Sequence, residues 1–423
     1  METQENKGGN VIAIATMFAL FFMIAFVTNF AASMGVIAKA QFQTSNALSQ
    51  FGNLANFLAY LFMGIPGGLI LKRKGYKFTA LIAVAVGLAG LGIQLASGYI
   101  GSFIVYVIGA FVAGFSMCML NLVGNPLLNT LGGGGNKGNQ LVQFGCSLNS
   151  VGATLSPIVL GILIGEITEK TAFSDAAPAL MIAMGIFAVA FFVVALSRIP
   201  EPHMETAEEK ALRLSGGTSV IKDIVSTLKF PHFTLGAFAI FFYIVIEVGI
   251  PSMANLYMTE VGGPGYVGGA VAGSVVAAYW FCMMIGRLIG GSIGAKVSSR
   301  AMITGCSIVG ICLMLAAMYA PVQMITVFGK SFPLSMCFMV ACGLCTSVMW
   351  GGIFNMAAEG LGKYVPMGSG IFMAMVFGGV LIPVQGMLAD KIGILNSYWM
   401  TIALLAYVLF YALVGSKLGQ KKA

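Results

Sequence analysis

The sequence predicts an all-α polytopic membrane protein with twelve transmembrane helices, arranged as two six-helix halves that are parallel repeats. Three observations predict it. The 423 residues are 58% hydrophobic and only 9% charged, with a mean hydropathy of +0.94, and no soluble core of this size needs so little charge. Twelve apolar stretches approach the roughly 20 residues that a helix needs to cross a bilayer. Lys and Arg are also sided: with the N-terminus in the cytoplasm, 18 of the 22 fall on cytoplasmic segments, while Lys39, Lys170, Lys330 and Lys391 fall on or toward the other face. That asymmetry needs an even number of spans and puts both termini in the cytoplasm. The net charge of +8 then reports topology and is not a nucleic-acid footprint.

In chain order the expected spans are 11–38, 48–71, 78–98, 102–127, 139–164, 178–197, 233–258, 266–289, 301–320, 333–357, 367–389 and 395–415. The first follows Met1–Asn10, which carries Glu2 and Glu5 where a signal peptide would be basic. Ala38-Lys39-Ala40 mimics a cleavage site, but the apolar stretch before it is too long. The third and eighth spans contain GLAGLG (Gly87–Gly92) and GGAVAG (Gly268–Gly273), small-residue runs that let helices approach closely. Arg198–Pro231 is the longest polar stretch. It reads as a cytoplasmic linker with a short amphipathic helix near Glu208, Glu209, Lys210 and Arg213. The expected division is an N-terminal half at 1–197, the linker at 198–231 and a C-terminal half at 232–423. GNPLLNTLG (Gly124–Gly132) sits opposite GIFNMAAEGLG (Gly352–Gly362), and SPIVLG (Ser156–Gly161) opposite IPVQG (Ile382–Gly386). Parallel halves with a site at their interface are a transporter architecture. The eight cysteines lie inside spans and suit neither a disulfide framework nor a metal site.

Glu247 is the only acidic residue near the middle of an apolar stretch, in FTLGAFAIFFYIVIEVGIPSMANLYM (Phe233–Met258). A charge at that depth costs at least about 2.5 kcal/mol, so it marks a place where a proton, a cation or a polar substrate meets the protein.

Four stretches resemble the fucose–galactose–glucose/cation symporter family of the major facilitator superfamily. They are IPGGLILKRKGYK (Ile65–Lys77), NLVGNPLLNTLG (Asn121–Gly132) with FGCSLNSVGA (Phe144–Ala153), FFYIVIEVGI (Phe241–Ile250), and IFNMAAEGLGKYVPMGSGIFMAMVFGGVLIPVQGMLAD (Ile353–Asp390). The resemblance implies the twelve-helix facilitator fold, a central sugar site reached by alternating access, a bacterial inner-membrane location and a monomer. Glu247 looks like the glutamate of the F-Y-V-G-x-E motif in glucose- and galactose-type members. The departures are Val36, where the family symporter has an acidic residue late in helix one, and Asn121, where it opens E-T-A-A-N-P with glutamate. The fold carries over; the coupling carboxylates do not.

Tyr243, Glu247, Pro251 and Asn255 recur every four residues and share one helical face. Pro251 has no N–H, so the Glu247 carbonyl loses its helical partner and becomes a ligand for a cation or a sugar hydroxyl. The alternative is a structural carboxylate, protonated or paired with a neighbouring helix. Asn121 and Asn125 share a face, and their neutral amides both donate and accept, as sugar hydroxyls require; interhelical hydrogen bonding is the competing role. Asn29, Gln143, Asn149, Asn355 and Gln385 extend the set, and the Trp350 indole offers a face for a sugar ring or simply packs. Lys39 either snorkels to the headgroups or faces the cavity, where it would neutralise Glu247 or attract an acidic sugar. Lys72 and Arg287 are expected in cytoplasmic gating loops. Glu359 and Lys363, spaced i, i+4 at a cytoplasmic helix end, are expected to form a surface pair or gate.

The leading function is therefore secondary sugar symport, with Glu247 coupling to H+ in preference to Na+ and with no other cofactor. An uncoupled facilitator or an exporter of another polar solute is the runner-up. A membrane sensor without transport is the alternative of a different class. An intramembrane enzyme fits poorly: there is no H-E-x-x-H helix, both histidines (His203 and His232) lie near the linker, and the spans hold no aspartate pair. No Walker A sequence is present either, which excludes ATP-driven pumping by this chain alone.

Overall fold

The computed structural model describes residues 11–25, 42, 51–164, 173–215 and 219–419, and almost all of them are helical. Among these residues nine helices are long and apolar enough to cross a membrane, and a shorter apolar helix, α1, covers Val11–Ala25. Next come α2 (Phe51–Ile100), α3 (Phe103–Leu131), α4 (Gly135–Ile164) and α5 (Phe173–Leu196). Two short linker helices follow, α6 (Ala207–Leu214) and α7 (Val220–Leu228), then α8 (Pro231–Thr259), α9 (Gly269–Ile293) and α10 (Ser299–Tyr319). The last spans are α11 (Leu334–Thr346), α12 (Met349–Ala358), α13 (Val365–Ala374), α14 (Ile382–Ile392) and α15 (Ile394–Leu413).

Helix ends follow the local chemistry. Ser102, Ser219 and Ser298 cap α3, α7 and α10 by accepting a backbone N–H through the side chain. Pro occupies the first turn of α8, α13 and α14, where its missing N–H costs nothing. The 50-residue α2 holds two expected spans, because Gly75 at φ 84° breaks it into two arms where a side chain would be strained.

Three features depart from the expected spans. Span ten is interrupted at Ser347 and Val348, between α11 and α12. Span eleven runs from α13 through a 3₁₀ segment, Met375–Leu381, into α14; 3₁₀ geometry inside a helix marks a strained place. Between α10 and α11, β1 (Met324–Val327) pairs antiparallel with β2 (Lys330–Pro333), joined by a two-residue turn at Phe328 and Gly329, both at positive φ.

Contacts divide the chain into two compact units. The first comprises Met1–Gly133, Leu148–Lys229 and Gly360–Phe377. Within it α2 crosses α13 at backbone distance: a Cβ on Gly64 would lie 2.5 Å from the Gly370 carbonyl oxygen, and one on Gly68 2.6 Å from that of Pro366. Glycine alone permits that approach. On the same unit the linker clasps the Gly75 turn. The Glu201 carboxylate accepts the backbone N–H of Tyr76 and, at 2.9 Å, that of Lys77. His203 Nδ1 and the Tyr76 hydroxyl share a 2.7 Å hydrogen bond, and Lys72 pairs with Asp223 at 2.7 Å.

The second unit comprises Gly134–Ser147, Phe230–Glu359 and Gly378–Ala423. In it Gly286 and Gly290 of α9 lie against Ser347 and Val348, so the interruption of span ten seats directly on a small-residue stripe.

Candidate functional site

The second unit carries a buried ion pair. Helix α8 is apolar nearly throughout, and it places Glu247 sixteen residues from its start and twelve from its end. Arg287 comes from α9, six residues before that helix stops. Its Nη2 donates to Glu247 Oε1 at 3.0 Å, with only 10% and 13% of the two side chains exposed. Arg287 Nη1 also reaches the Cys146 carbonyl of α4 at 3.5 Å. Neither charge is tolerable alone at this depth; together they offset one another.

Two tyrosines frame the pair. Tyr279 lies two turns before Arg287 on the same face of α9, and its hydroxyl donates to the Glu247 carbonyl at 3.0 Å. It also shares a 3.1 Å bond with the Thr346 hydroxyl at the end of α11. The carbonyl released by Pro251 is thus occupied, which corrects the expectation of a free oxygen ligand there. Tyr243, one turn before Glu247, is fully buried. Its buried hydroxyl lies against the Glu247–Arg287 pair. The Trp350 ring stands 6.3 Å from that of Tyr243, just beyond the interruption of span ten.

The structure places Tyr243, Glu247 and Trp350 in one cluster with Arg287, Tyr279 and Thr346. Arg287 corrects the expectation most: it is inside a span and buried, not in a gating loop. Its signal was present in the spacing, since Tyr279, Met283 and Arg287 form an i, i+4, i+8 row within the apolar stretch. Gln143 lies in the same unit and donates to the Val348 carbonyl at 2.9 Å. Asn255 is exposed and does not join the buried cluster. Gln385 is buried on α14, donating to Thr401 at 3.2 Å with its carbonyl oxygen facing Gly249. Asn355 donates to Ser299 at 2.9 Å.

In the first unit Asn121 donates to the Tyr60 hydroxyl at 3.1 Å and to the Met117 carbonyl at 3.0 Å, and Asn125 donates back to Asn121. Asn149 donates to the Phe21 carbonyl at 3.1 Å. Lys72 lies within α2, paired with Asp223, not in a loop. Helix α12 ends at Ala358 and Gly360 takes φ 74°, so Glu359 and Lys363 are not one helical turn apart as their spacing suggested. The Glu359 carbonyl instead meets His232 Nε2 at 2.8 Å. Asn29, Val36 and Lys39 lie outside the described residues.

Residues 16–382 match the Major Facilitator Superfamily model. The chain is 28% identical over 417 residues to a glucose/galactose transporter of Brucella abortus, covering 98% of this chain and 96% of that one. It is 26% identical to a putative glucose/galactose transporter of Helicobacter pylori, covering 97% and 98%. It is 20% identical to the L-fucose-proton symporter of Escherichia coli, covering 95% and 92%. Among solved structures, the E. coli fucose:proton symporter shares the fold at a TM-score of 0.81 and 17% identity, covering 96% of this chain and 98% of that one. A proton:xylose symporter does so at 0.69 and 15% identity, covering 97% and 95%. The chain belongs to the major facilitator superfamily, with that superfamily's helical membrane-spanning fold.

Proposed function

We propose that the chain imports a monosaccharide, a hexose or related sugar, by alternating access, and that Glu247 couples the uptake to a cation, H+ in preference to Na+. The observation that carries this reading is the buried Glu247–Arg287 pair. A carboxylate whose charge is met inside the membrane by one exchangeable partner can be switched by a proton, and switching it disturbs everything packed around it. Na+ would need several oxygen ligands, yet the Glu247 carbonyl is held by Tyr279 and one carboxylate oxygen by Arg287. The Tyr243 and Trp350 rings offer apolar faces to a sugar ring beside hydrogen-bonding groups, the composition that ligand sites favour. The sugar and proton named for the relatives point the same way.

On this reading Asn29, Asn121, Asn125, Gln143, Asn149, Asn255, Asn355 and Gln385 are further substrate contacts, some reached only as the helices rearrange. The chain acts as a monomer with two six-helix halves in a bacterial inner membrane, both termini in the cytoplasm. Lys72 and Glu359 act at the cytoplasmic gate. The test is uptake of labelled sugars into proteoliposomes under a proton gradient and, separately, a Na+ gradient. The parent accumulates sugar under the proton gradient, while Glu247→Gln loses accumulation and keeps exchange. Accumulation by Glu247→Gln at the parental level would overturn the coupling assignment.

A further inference from the structure

Helix α7 of the linker has two faces with different surroundings. Val220, Asp223, Ile224 and Thr227 share one of them by helical spacing. That face is docked: Thr227 is fully buried, Val220, Asp223 and Ile224 are half-buried, and Lys72 of α2 holds the Asp223 carboxylate at 2.7 Å. The helix also packs on α13, within the same compact unit. Ile221, Val225 and Leu228 stand on the other face at i, i+4 and i+7, and are 72%, 48% and 42% exposed. Lys222 and Lys229 lie along the edge of this apolar stripe, both exposed.

The place of α7 decides what the stripe meets. Lys72 comes just before Gly75, where α2 turns between its two membrane-crossing arms. The Lys72–Asp223 pair therefore pins α7 at the end of a span, at the membrane surface. In water the stripe would keep three large apolar side chains against solvent, whereas the acyl boundary of a bilayer takes them out of it. An apolar stripe edged by lysines suits a helix lying in the interface plane, with its ammonium groups reaching up to the phosphates. Arg73 and Lys74 follow Lys72 and are exposed, so the pair brings their charge to the same end of α2 as Lys222 and Lys229. Basic clusters of this kind beside a span attract anionic lipid. The acid within α7, Asp223, is taken up by Lys72. Helix α6 is opposite in sign at its start, opening on Glu208 and Glu209, and an anionic surface repels it.

We propose that α7 is an interfacial anchor, with Ile221, Val225 and Leu228 in the acyl boundary and Lys222 and Lys229 on the phosphates of anionic phospholipids. One row of three side chains falls far short of the roughly 800 Å² per partner that a stable protein interface buries, which favours a lipid surface over a second protein. The anchor ties one end of the linker to the bilayer, as Glu201 ties the other to the Gly75 turn.

The test uses the full chain in nanodiscs of phosphatidylcholine, alone or with phosphatidylglycerol, and no transported solute. Val225→Trp adds an indole to the stripe, and its emission is read as the difference from the parent, which carries Trp280, Trp350 and Trp399. With phosphatidylglycerol this difference emission shifts to shorter wavelength and is lost when the lipid chains are brominated, while acrylamide in the water leaves it largely intact. Ala211→Trp, at an exposed position of α6, shows the reverse. Adding Lys222→Glu/Lys229→Glu to Val225→Trp returns the indole to acrylamide. If Val225→Trp lowers the Tm in detergent, Ile221→Trp, at the most exposed position of the stripe, takes its place with the same expected results. Quenching of the stripe indole by acrylamide and not by bromine puts α7 in water and overturns the proposal. Equal bromine quenching at positions 225 and 211 overturns its assignment to α7. Equal quenching with and without phosphatidylglycerol overturns the recognition of anionic lipid. Protection from both quenchers, with two chains per disc by mass, means that a second copy covers the stripe and overturns the lipid assignment.

Discussion

Two carboxylates, Glu201 in the linker and Glu247 in α8, hold their charges in opposite ways. Glu201 sits at the start of the second arm of α2, where it accepts the backbone N–H groups of Tyr76 and Lys77. Its donors are neutral amides at a helix start, which favour an anion, and Lys77 adds a nearby charge. Burial still pushes its carboxyl above the usual glutamate range, against those hydrogen bonds and Lys77. Glu247, in mid-span, is instead held by a full opposite charge. At the membrane edge, backbone donors suffice and the contact is a fixed clasp. In the middle of the span a carboxylate needs a counter-charge, and that counter-charge must be satisfied whenever the carboxylate is neutralised. On the proposed reading, the difference makes one glutamate a structural tie and the other a switch.

The largest effect expected from breaking this contrast comes from Arg287→Gln. It leaves Glu247 buried without its partner and costs about 3–5 kcal/mol, read as thermal unfolding in detergent. Glu247→Gln/Arg287→Gln should recover most of that loss, and failure to recover it would mean the two residues do not act as a pair. Next comes Gly370→Val, which drives a side chain into the backbone of α2 at Gly64 and should cost about 1–3 kcal/mol. Parental stability in this variant would show that the crossing is looser than its backbone distances indicate. Tyr279→Phe removes the donor to the Glu247 carbonyl, and a loss of about 1–2 kcal/mol is expected, with weakened coupling beside it.

The smallest effect is Glu201→Gln, below about 1 kcal/mol, and its pH dependence sharpens the contrast. Because the Glu201 carboxyl is raised by burial, its contribution is fully present below the usual glutamate range and falls as the pH rises through its own value. His203 is lowered by burial, so its contribution is present above the usual histidine value of 6.5 and is lost as the pH falls through its depressed one. The two oppose each other in the parent. Glu201→Gln should leave only the acid-side loss from His203, and His203→Gln should remove it.

The sequence made the membrane-spanning content and the mid-helix position of Glu247 legible, because apolar length depends on composition alone. Tyr243 and Trp350 were legible as candidates because a four-residue spacing and an indole can be seen in one dimension. Arg287 was misplaced because its position near a span end resembles the basic flanks that ordinarily mark cytoplasmic loops. Only the packing of α9 on α8 turns it inward. The occupied Glu247 carbonyl was missed for the same reason: Pro251 announces a vacancy, but a tyrosine 28 residues later in the chain fills it. The hairpin at Met324–Pro333 escaped because its strands are only four residues each, too short for an alternating pattern to stand out.

The most direct test of Glu247 as a proton switch needs no imposed gradient. Substrate is added to weakly buffered proteoliposomes and the external pH is recorded as it enters. The parent should take up one proton per substrate molecule and turn the medium alkaline, while Glu247→Gln moves substrate without a pH change. An equal alkaline shift in both would contradict the account.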